Sequence, residues 1–307
     1  MSSLNDSLAD YLRVRRQLGF ELRTAGRELA SFVAFLEQAG AGRVTSELAL
    51  RWACQPGTSE RYHNLRLGMV RGFARYLATI DPKSEIPPVG LLSGQFRRTV
   101  PYLYSEREIT ELMAAAGALT PALKAATYRT IIGLLAVSGM RIGEALGLDR
   151  EDVSLSDGML RLRVAKQHKQ RLVPLHDTTT IALGEYAQVR DRACREPTTT
   201  AFFFSTSGAR ICGSVFDQTF RKLLQQVQPQ PGGEQAHRRV HDVRHTFAVN
   251  TLRRWHHAGV DVDRAMPLLS TYLGHIDPHS TYWYLHATPE LMSPVASKLE
   301  GIQGDRS

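Results

Sequence analysis

The chain has 307 residues, of which 43% are hydrophobic, so it can bury a sizeable core and can form two ordinary domains. Its 38 basic against 30 acidic residues give a charge of +8, which favours an anionic partner, with nucleic acid the first candidate. Arginine supplies 32 of the 38 cations. Arginine suits paired contacts with phosphate, but GC-rich coding produces the same bias, so charge alone does not identify the partner.

The cysteines and the apolar segments exclude several protein classes. Cys54, Cys194 and Cys212 are far apart and lack a CxxC spacing, so neither a disulfide framework nor a zinc knuckle is indicated. There is no N-terminal apolar signal segment and no run of about eighteen apolar residues. We therefore expect a soluble, cytoplasmic protein without a membrane partner.

Residues 1–81 predict a domain of helices only. Apolar side chains at helical spacing form one face, and Thr45 is placed to cap a short helix. A longer helix after Pro56-Gly57 carries an arginine row that fits either a solvated face or a DNA-contacting face. The apolar face consists of Leu29, Phe32, Val33 and Leu36. The arginine row consists of Arg61, Arg66, Arg71 and Arg75.

Residues 82–103 are rich in proline and glycine and predict an extended linker. The remaining residues, 104–307, predict a second domain that is mainly α with a small antiparallel β-sheet, an α+β fold. Strand-like alternation occurs at 160–164 and 172–175 around a polar hairpin tip, and Phe202-Phe203-Phe204 predicts a buried strand. Other signals are a capping box from Ser105 to Glu108, a helix start at Thr120-Pro121, and helices near 178–193, 214–227, 240–257, 264–273 and 278–298.

Residues 241–284 carry the chemistry. On a helix, His241 and Arg244 share one face, while Val243 faces a core. A second imidazole, His275, follows a glycine about thirty residues later, and Tyr284 comes nine residues after it. Arginine binds phosphate oxygens in pairs, histidine moves protons and tyrosine can act as a nucleophile. These residue types predict metal-independent attack on a phosphodiester.

Earlier in the chain, Arg141 stands where a glycine turn leads into a new helix, and helix N-termini favour anions. Together these segments resemble the tyrosine recombinase (phage integrase) family over residues 102–290. The similar motifs are SGMRIGEAL (138–146), the hairpin with Lys166, HDVRHTFA (241–248), LGH (273–275) and Tyr284. Residues 1–80 resemble the family's helical core-binding domain, and the two domains are expected to form a C-shaped clamp around double-stranded DNA.

The resemblance implies a role for each site residue. Tyr284 would attack the scissile phosphate and form a 3′-phosphotyrosyl bond, while Arg141 and Arg244 stabilise the charge on the phosphate. Lys166 would protonate the leaving 5′-oxygen, and His241 and His275 would assist proton transfer and phosphate binding. No metal and no nucleotide or other small-molecule cofactor is implied. The implied function is site-specific recombination that integrates, excises or transposes a mobile element.

The resemblance also implies a tetramer on synapsed DNA sites, formed by copies of this chain alone or together with related recombinases. In that tetramer, residues 289–299 are expected to pack on a neighbouring protomer. Several alternatives stay open. The hairpin lacks the family's glycines, so Lys169 is a second candidate acid, and Tyr282 is a rival nucleophile. His241 and His245, four residues apart, form a zinc-like pair without a completing ligand. A type IB topoisomerase and a catalytically idle DNA-binding partner are the competing functions.

Overall fold

The computed structural model describes residues 3–92, 100–163, 170–227 and 238–275, together with residues 281, 282 and 284. The chain divides into two compact units, residues 1–98 and 99–307, and each unit has its own hydrophobic core. The division falls within the predicted linker. Among the described residues, no helix is both long and apolar enough to span a bilayer.

The described residues of the first unit, 3–92, contain four helices and no strand, in agreement with the prediction of helices only for residues 1–81. Thr45 accepts the Leu48 N–H at 3.2 Å and so caps the third helix, as the sequence indicates. The predicted apolar face is buried against Trp52 and Phe73. The helices are α1 (Leu4–Gln17), α2 (Arg23–Gln38), α3 (Ser46–Ala53) and α4 (Glu60–Ala78).

The arginines of α4 do not form one uniform row. Arg66 forms an ion pair of 2.9 Å with Glu28 and lies over the Trp52 ring, so it stabilises the fold of this unit. Arg71 donates to the carbonyls of Pro87 and Pro88. Arg75 is exposed. Arg66 and Arg71 are thus held by contacts within the protein, which neither interpretation of the row predicted. Arg75 faces solvent, so a solvated and a DNA-contacting role both stay open for it.

The second unit is mainly helical. Ser105 and Glu108 form the predicted capping box, with the Glu108 carboxylate accepting the Ser105 N–H at 2.7 Å. One predicted boundary differs by a residue, because Pro121 itself is the N-cap of the next helix. The helices are α5 (Glu106–Gly117), α6 (Ala122–Ser138), α7 (Ile142–Gly147), α8 (Asp177–Ala193), α9 (Gly213–Val227), α10 (Val240–His257) and α11 (Val262–Leu273).

Within the described residues of this unit, three antiparallel strands form a sheet in the order β1-β2-β3. The strands are β1 (Val153–Ser154), β2 (Met159–Arg163) and β3 (Gln170–Pro174), and β1 was not predicted. Leu160 pairs with Val173 and Leu162 with Arg171, which places these four side chains on the inner face. The tip between β2 and β3, with Lys166 and Lys169, lies outside the described residues.

The three consecutive phenylalanines are buried as predicted, but the predicted strand is wrong. This stretch has only isolated bridges, from Ala201 to Asp149 and from Phe204 to Arg210. The Phe202 carbonyl instead accepts from the Arg190 guanidinium at 3.1 Å, and its N–H donates to a loop carbonyl. Side-chain and loop partners thus satisfy backbone groups that a ladder would otherwise pair. Of the predicted helix at 278–298, only residues 281, 282 and 284 are described, and they are helical.

Candidate active site

The start of α10 is fixed by the buried carboxylate of Asp242. It accepts the Arg239 backbone N–H at 2.8 Å and the Arg239 guanidinium at 3.3 Å. One turn later, the Thr246 hydroxyl donates to the Asp242 carbonyl and accepts the Tyr104 N–H at 2.9 Å. An acidic group at a helix N-terminus is favourable, and here it also fixes the helix start. This anchoring sets the direction in which His241 and Arg244 leave the helix.

Arg244 is almost fully buried, with 2% of its surface exposed. Its Nη1 donates to the Gly139 carbonyl at 2.9 Å, and its Nη2 donates to the Leu273 carbonyl at 2.7 Å. Burial and the nearby charge of Arg141 lower the pKa of Arg244 to about 10. The guanidinium therefore stays charged at neutral pH and joins α10 to the turns that end α6 and α11.

Arg141 is the N-cap of α7. Its backbone N–H and its Nη1 donate to the two carboxylate oxygens of Glu144 at 2.8 and 2.9 Å. Its Nη2 donates to the Gly274 carbonyl at 3.2 Å. Arg141 and Arg244 thus donate to the carbonyls of consecutive residues, Gly274 and Leu273. The Arg141 side chain keeps 40% of its surface exposed, so it can meet a ligand.

Two residues that the sequence analysis missed complete this cluster. Arg171 on β3 donates from Nη1 and Nη2 to both oxygens of Glu144, at 3.0 and 2.8 Å. Burial raises the pKa of Glu144, but two opposing effects outweigh burial, so the pKa is lowered overall. These effects are the hydrogen bonds from the Arg171 side chain and the Arg141 backbone, and the positive charges of the two arginines. Two signals were present: Glu144 lies three residues after the N-cap, and Arg171 shares the inward strand phase of Val173.

Glycine is required at both turns that carry these carbonyls. Gly139 has a φ of +59°, and a Cβ there would overlap the Phe247 ring of α10. Gly274 has a φ of +68° and ends α11, and a Cβ there would overlap the Arg171 guanidinium. Left-handed backbone is costly for residues with a Cβ. The motif glycines therefore permit both the turn and the close packing.

The imidazoles and Tyr284 lie together beside these turns. The ring centroids are 4.7 Å apart for His241 and His245, 5.3 Å for His245 and Tyr284, and 6.0 Å for His275 and Tyr284. His275 Nδ1 lies 2.6 Å from the Thr281 hydroxyl. Tyr284 is 2% exposed, whereas Tyr282 is 40% exposed. The two candidate tyrosines therefore occupy different environments, and only Tyr284 contacts the histidines among the described contacts.

The same surroundings make the imidazoles neutral at pH 7. Burial and the charges of Arg244 and Arg141 lower the pKa of His275 to about 4. Burial and the neighbouring His241 lower the pKa of His245 to about 3. His241 is exposed, and partial desolvation with the charge of Arg244 lowers its pKa. These neutral rings can accept a proton, which a nucleophilic phenol must lose.

The structure thus brings together Arg141, Arg244, His241, His275 and Tyr284. Lys166 and its alternative Lys169 lie outside the described residues, so their positions stay predictions. Among the residues that are described, no group of three or more His, Cys, Asp or Glu side chains could hold a metal ion. The zinc alternative for His241 and His245 gains no third ligand there.

Comparison with known proteins decides the family. Residues 103–290 match the model of the phage integrase family, and the whole chain is 40% identical to the whole of the integrase/recombinase y4rB of Sinorhizobium fredii. The chain belongs to the phage integrase family. It is also 28% identical to tyrosine recombinase XerC of Chlamydia trachomatis, over 77% of this chain and 70% of that protein.

Solved structures agree on the fold of this phage integrase. The integrase of transposon Tn1549, solved in complex with transposon right-end DNA, superposes with a TM-score of 0.68 at 15% identity. The match covers 97% of this chain and all of that one. The family match and the relatives make the protein a tyrosine recombinase, an enzyme that cleaves and rejoins DNA in site-specific recombination. The predicted family, fold class and function are confirmed.

Proposed function

We propose that this recombinase breaks a DNA strand by attack of the Tyr284 hydroxyl oxygen on the scissile phosphorus. A bond forms between that oxygen and phosphorus, the bond from phosphorus to the 5′-oxygen breaks, and a 3′-phosphotyrosyl link results. The phenol proton passes to a neighbouring base, and Lys166 gives a proton to the leaving 5′-oxygen. Attack by the 5′-hydroxyl of a partner strand reverses the step and releases Tyr284.

One observation carries this proposal: Arg141 and Arg244 are held on consecutive carbonyls next to the rings of His275 and Tyr284. A guanidinium has five N–H donors, so both arginines retain donors for phosphate oxygens after these carbonyl bonds. Charge grows on those oxygens as the tyrosine attacks. A preorganised donor at such a position is typically worth about 3–4 kcal/mol in the transition state.

The neutral imidazoles support a role in proton transfer. With a pKa of about 4, His275 carries no proton on one ring nitrogen at pH 7 and can accept one. His241, on the exposed side of the cluster, can donate to a phosphate oxygen or share the proton. His245 lies between His241 and Tyr284, where its ring supports the packing of both.

The burial of the two tyrosines supports Tyr284 as the nucleophile. A phenol with a pKa near 10 is unreactive at neutral pH unless neighbours stabilise its charge. Tyr284 has Arg244 within electrostatic reach and two imidazole rings in contact. Tyr282 faces solvent and has no comparable surroundings among the described contacts.

We further propose a function for each part of the chain. Residues 1–81 form a core-binding domain on DNA, residues 82–103 a linker, and residues 104–307 the catalytic domain. The enzyme acts as a homotetramer on two synapsed double-stranded sites, in the cytoplasm, and moves a mobile element. The Tn1549 integrase is named for a transposon and was solved with transposon-end DNA. That likeness supports the ends of a mobile element as the substrate.

The test uses a nicked duplex that loses a short fragment after cleavage, so that religation fails. Wild-type protein should run as a DNA adduct on a denaturing gel, and peptide mapping should find the DNA on Tyr284. Tyr284→Phe should bind the site and form no adduct, whereas the matched variant Tyr282→Phe should form it normally. An adduct on Tyr282 would refute the assignment of the nucleophile. Tight binding without any adduct would instead favour the idle DNA-binding partner.

A further inference from the structure

Glu144 lies between two guanidinium groups that belong to different parts of the fold. Its Oε1 accepts from Arg141 Nη1 at 2.9 Å and from Arg171 Nη1 at 3.0 Å, while its Oε2 accepts from Arg171 Nη2 at 2.8 Å. The Arg171 and Glu144 side chains are only 13% and 11% exposed. The paired geometry and the low exposure make this a strong interaction, unlike a surface ion pair.

The arrangement has a consequence for Arg141. If Glu144 had Arg141 as its sole partner, the carboxylate would neutralise the charge that a phosphate needs. With Arg171 bound to both oxygens, the three groups carry a net charge of +1, and the attraction of Glu144 for Arg141 is shared. A carboxylate near a phosphate is otherwise repulsive. Arg171 thus allows Glu144 to orient Arg141 without cancelling it.

Arg171 also touches the turn that receives Arg141. Its guanidinium packs against Gly274, so closely that no Cβ would fit there, and the Gly274 carbonyl accepts from Arg141 Nη2. His275 follows directly. Arg171 itself is the second residue of β3, opposite Leu162 on β2. It therefore joins the sheet to α7 and to the turn before His275.

We propose that Arg171 is a positioning residue that leaves the positive charge of Arg141 available to the scissile phosphate and correctly aimed at it, by binding the Glu144 carboxylate that would otherwise capture Arg141. This inference rests on the proposed contact between Arg141 and that phosphate. It adds Arg171 to the residues that determine the cleavage rate, although Arg171 does not touch the reacting atoms.

The experiment compares single-turnover adduct formation by Arg171→Gln, Glu144→Gln and the double variant, using the nicked duplex. Arg171→Gln leaves the carboxylate free to capture Arg141 and should slow the reaction roughly 10²-fold, as misplacement of a reacting group does. The double variant lacks that carboxylate and should react faster than Arg171→Gln. Arg161→Gln is the matched control, since Arg161 is exposed on the neighbouring strand and should react at the wild-type rate.

A purely structural role makes the opposite prediction for the double variant. If the role is only structural, the double variant lacks both halves of the ion pair and should react as slowly as Arg171→Gln or more slowly. That result would overturn the proposal. Arg171→Lys keeps the positive charge and should retain more activity than Arg171→Gln. If thermal unfolding shows that Arg171→Gln is not folded, Arg171→Lys takes its place in the comparison with the double variant. Equal rates for Arg171→Lys and Arg171→Gln would also overturn the proposal.

A second substrate separates charge from shape. In a methylphosphonate at the scissile position, one non-bridging oxygen is replaced by an uncharged methyl group, so less negative charge develops for the Arg141 guanidinium to stabilise. The deficit of Arg171→Gln should therefore be smaller on this substrate, and an equal deficit on both would count against the inference. Wild-type protein without an adduct would remove the proposed function itself, whereas an Arg171→Gln rate equal to wild type would remove only the inference.

Discussion

Arg244 donates to the carbonyl of Gly139, 105 residues earlier in the chain, at 2.9 Å. A buried charge is costly unless its hydrogen bonds are satisfied. Here two backbone carbonyls accept hydrogen bonds from the guanidinium. The planar fork is what allows one side chain to reach both turns at once. Arg244 is therefore a structural link as well as a candidate phosphate ligand.

Arg244→Lys should slow adduct formation by roughly 10²–10³-fold, the loss typical of a donor to transition-state charge. Lysine keeps the charge but cannot hold two carbonyls in fixed directions. Single-turnover cleavage of the nicked duplex measures the effect. Arg254→Lys, on the exposed side of the same helix, is the control and should react normally. A wild-type rate for Arg244→Lys would show that the fork geometry is unimportant.

Gly139→Ala should destabilise the protein by about 2–4 kcal/mol, combining left-handed strain with overpacking against Phe247. Gly143 lies four residues later with open space around its Cβ position, so Gly143→Ala should be neutral or stabilising by up to about 1 kcal/mol. Thermal unfolding of both variants gives the comparison. Adding Phe247→Ala should remove the overlap but not the strain. Equal unfolding temperatures for Gly139→Ala and Gly143→Ala would contradict the assignment.

Lys166→Ala should slow cleavage of an ordinary substrate by roughly 10²–10⁴-fold, the usual contribution of general acid catalysis. The loss should be much smaller when sulfur replaces the leaving 5′-oxygen, because a thiolate leaves without a proton. The same pair of substrates with Lys169→Ala tests the alternative acid. Equal losses on both substrates would remove the tested lysine from this role.

Stability should decrease as the pH falls from about 7 toward 5.5. The pKa of His245 is lowered from 6.5 to about 3, and that of His275 from 6.5 to about 4, mainly by burial. Below pH 6.5 the unfolded chain therefore binds protons that the folded protein does not, and each ring costs up to about 1.4 kcal/mol per pH unit. Urea unfolding at several pH values measures this slope, and His245→Asn should reduce it. An unchanged slope in that variant would contradict the buried neutral ring.

Two arginines of α4 should behave differently. Arg75→Ala should leave stability within about 0.5 kcal/mol and reduce the slope of log K against log salt by about 0.9 if Arg75 contacts one phosphate. Arg66→Ala should instead destabilise the N-terminal unit by about 3 kcal/mol, since it leaves Glu28 without its ion pair. Binding titrations between roughly 50 and 200 mM salt provide the test. A flat salt dependence of the wild-type protein would contradict DNA binding through arginine.

Local patterns in the sequence predicted local structure well. The helix of the His241 motif was expected at 240–257 and is Val240–His257. Its apolar periodicity and its neighbours in sequence are enough to define it. The Ser105 capping box was predicted for the same reason, because both partners lie within one turn.

Contacts between distant segments were the ones that the sequence did not reveal. The pair of Glu144 and Arg171 joins residues 27 positions apart, and although Glu144 lies within SGMRIGEAL, neither local pattern indicates the other residue as its partner. The phenylalanine run was expected to be a strand because its composition fits one, but its backbone partners are a side chain and a loop. Such partners depend on the folded arrangement, and periodicity carries no information about them.

The contacts around the two arginines also set an order in time during synthesis. The Arg141 bond to Gly274 spans 133 residues, and a ribosome extends a chain by only about 5–20 residues per second. The N-terminal unit has a separate core within residues 3–92 and can fold while those later residues are still being made. A nascent chain can therefore complete its first helical unit seconds before the turn at Gly274 is synthesised, and the cleavage site cannot assemble until most of the chain has emerged.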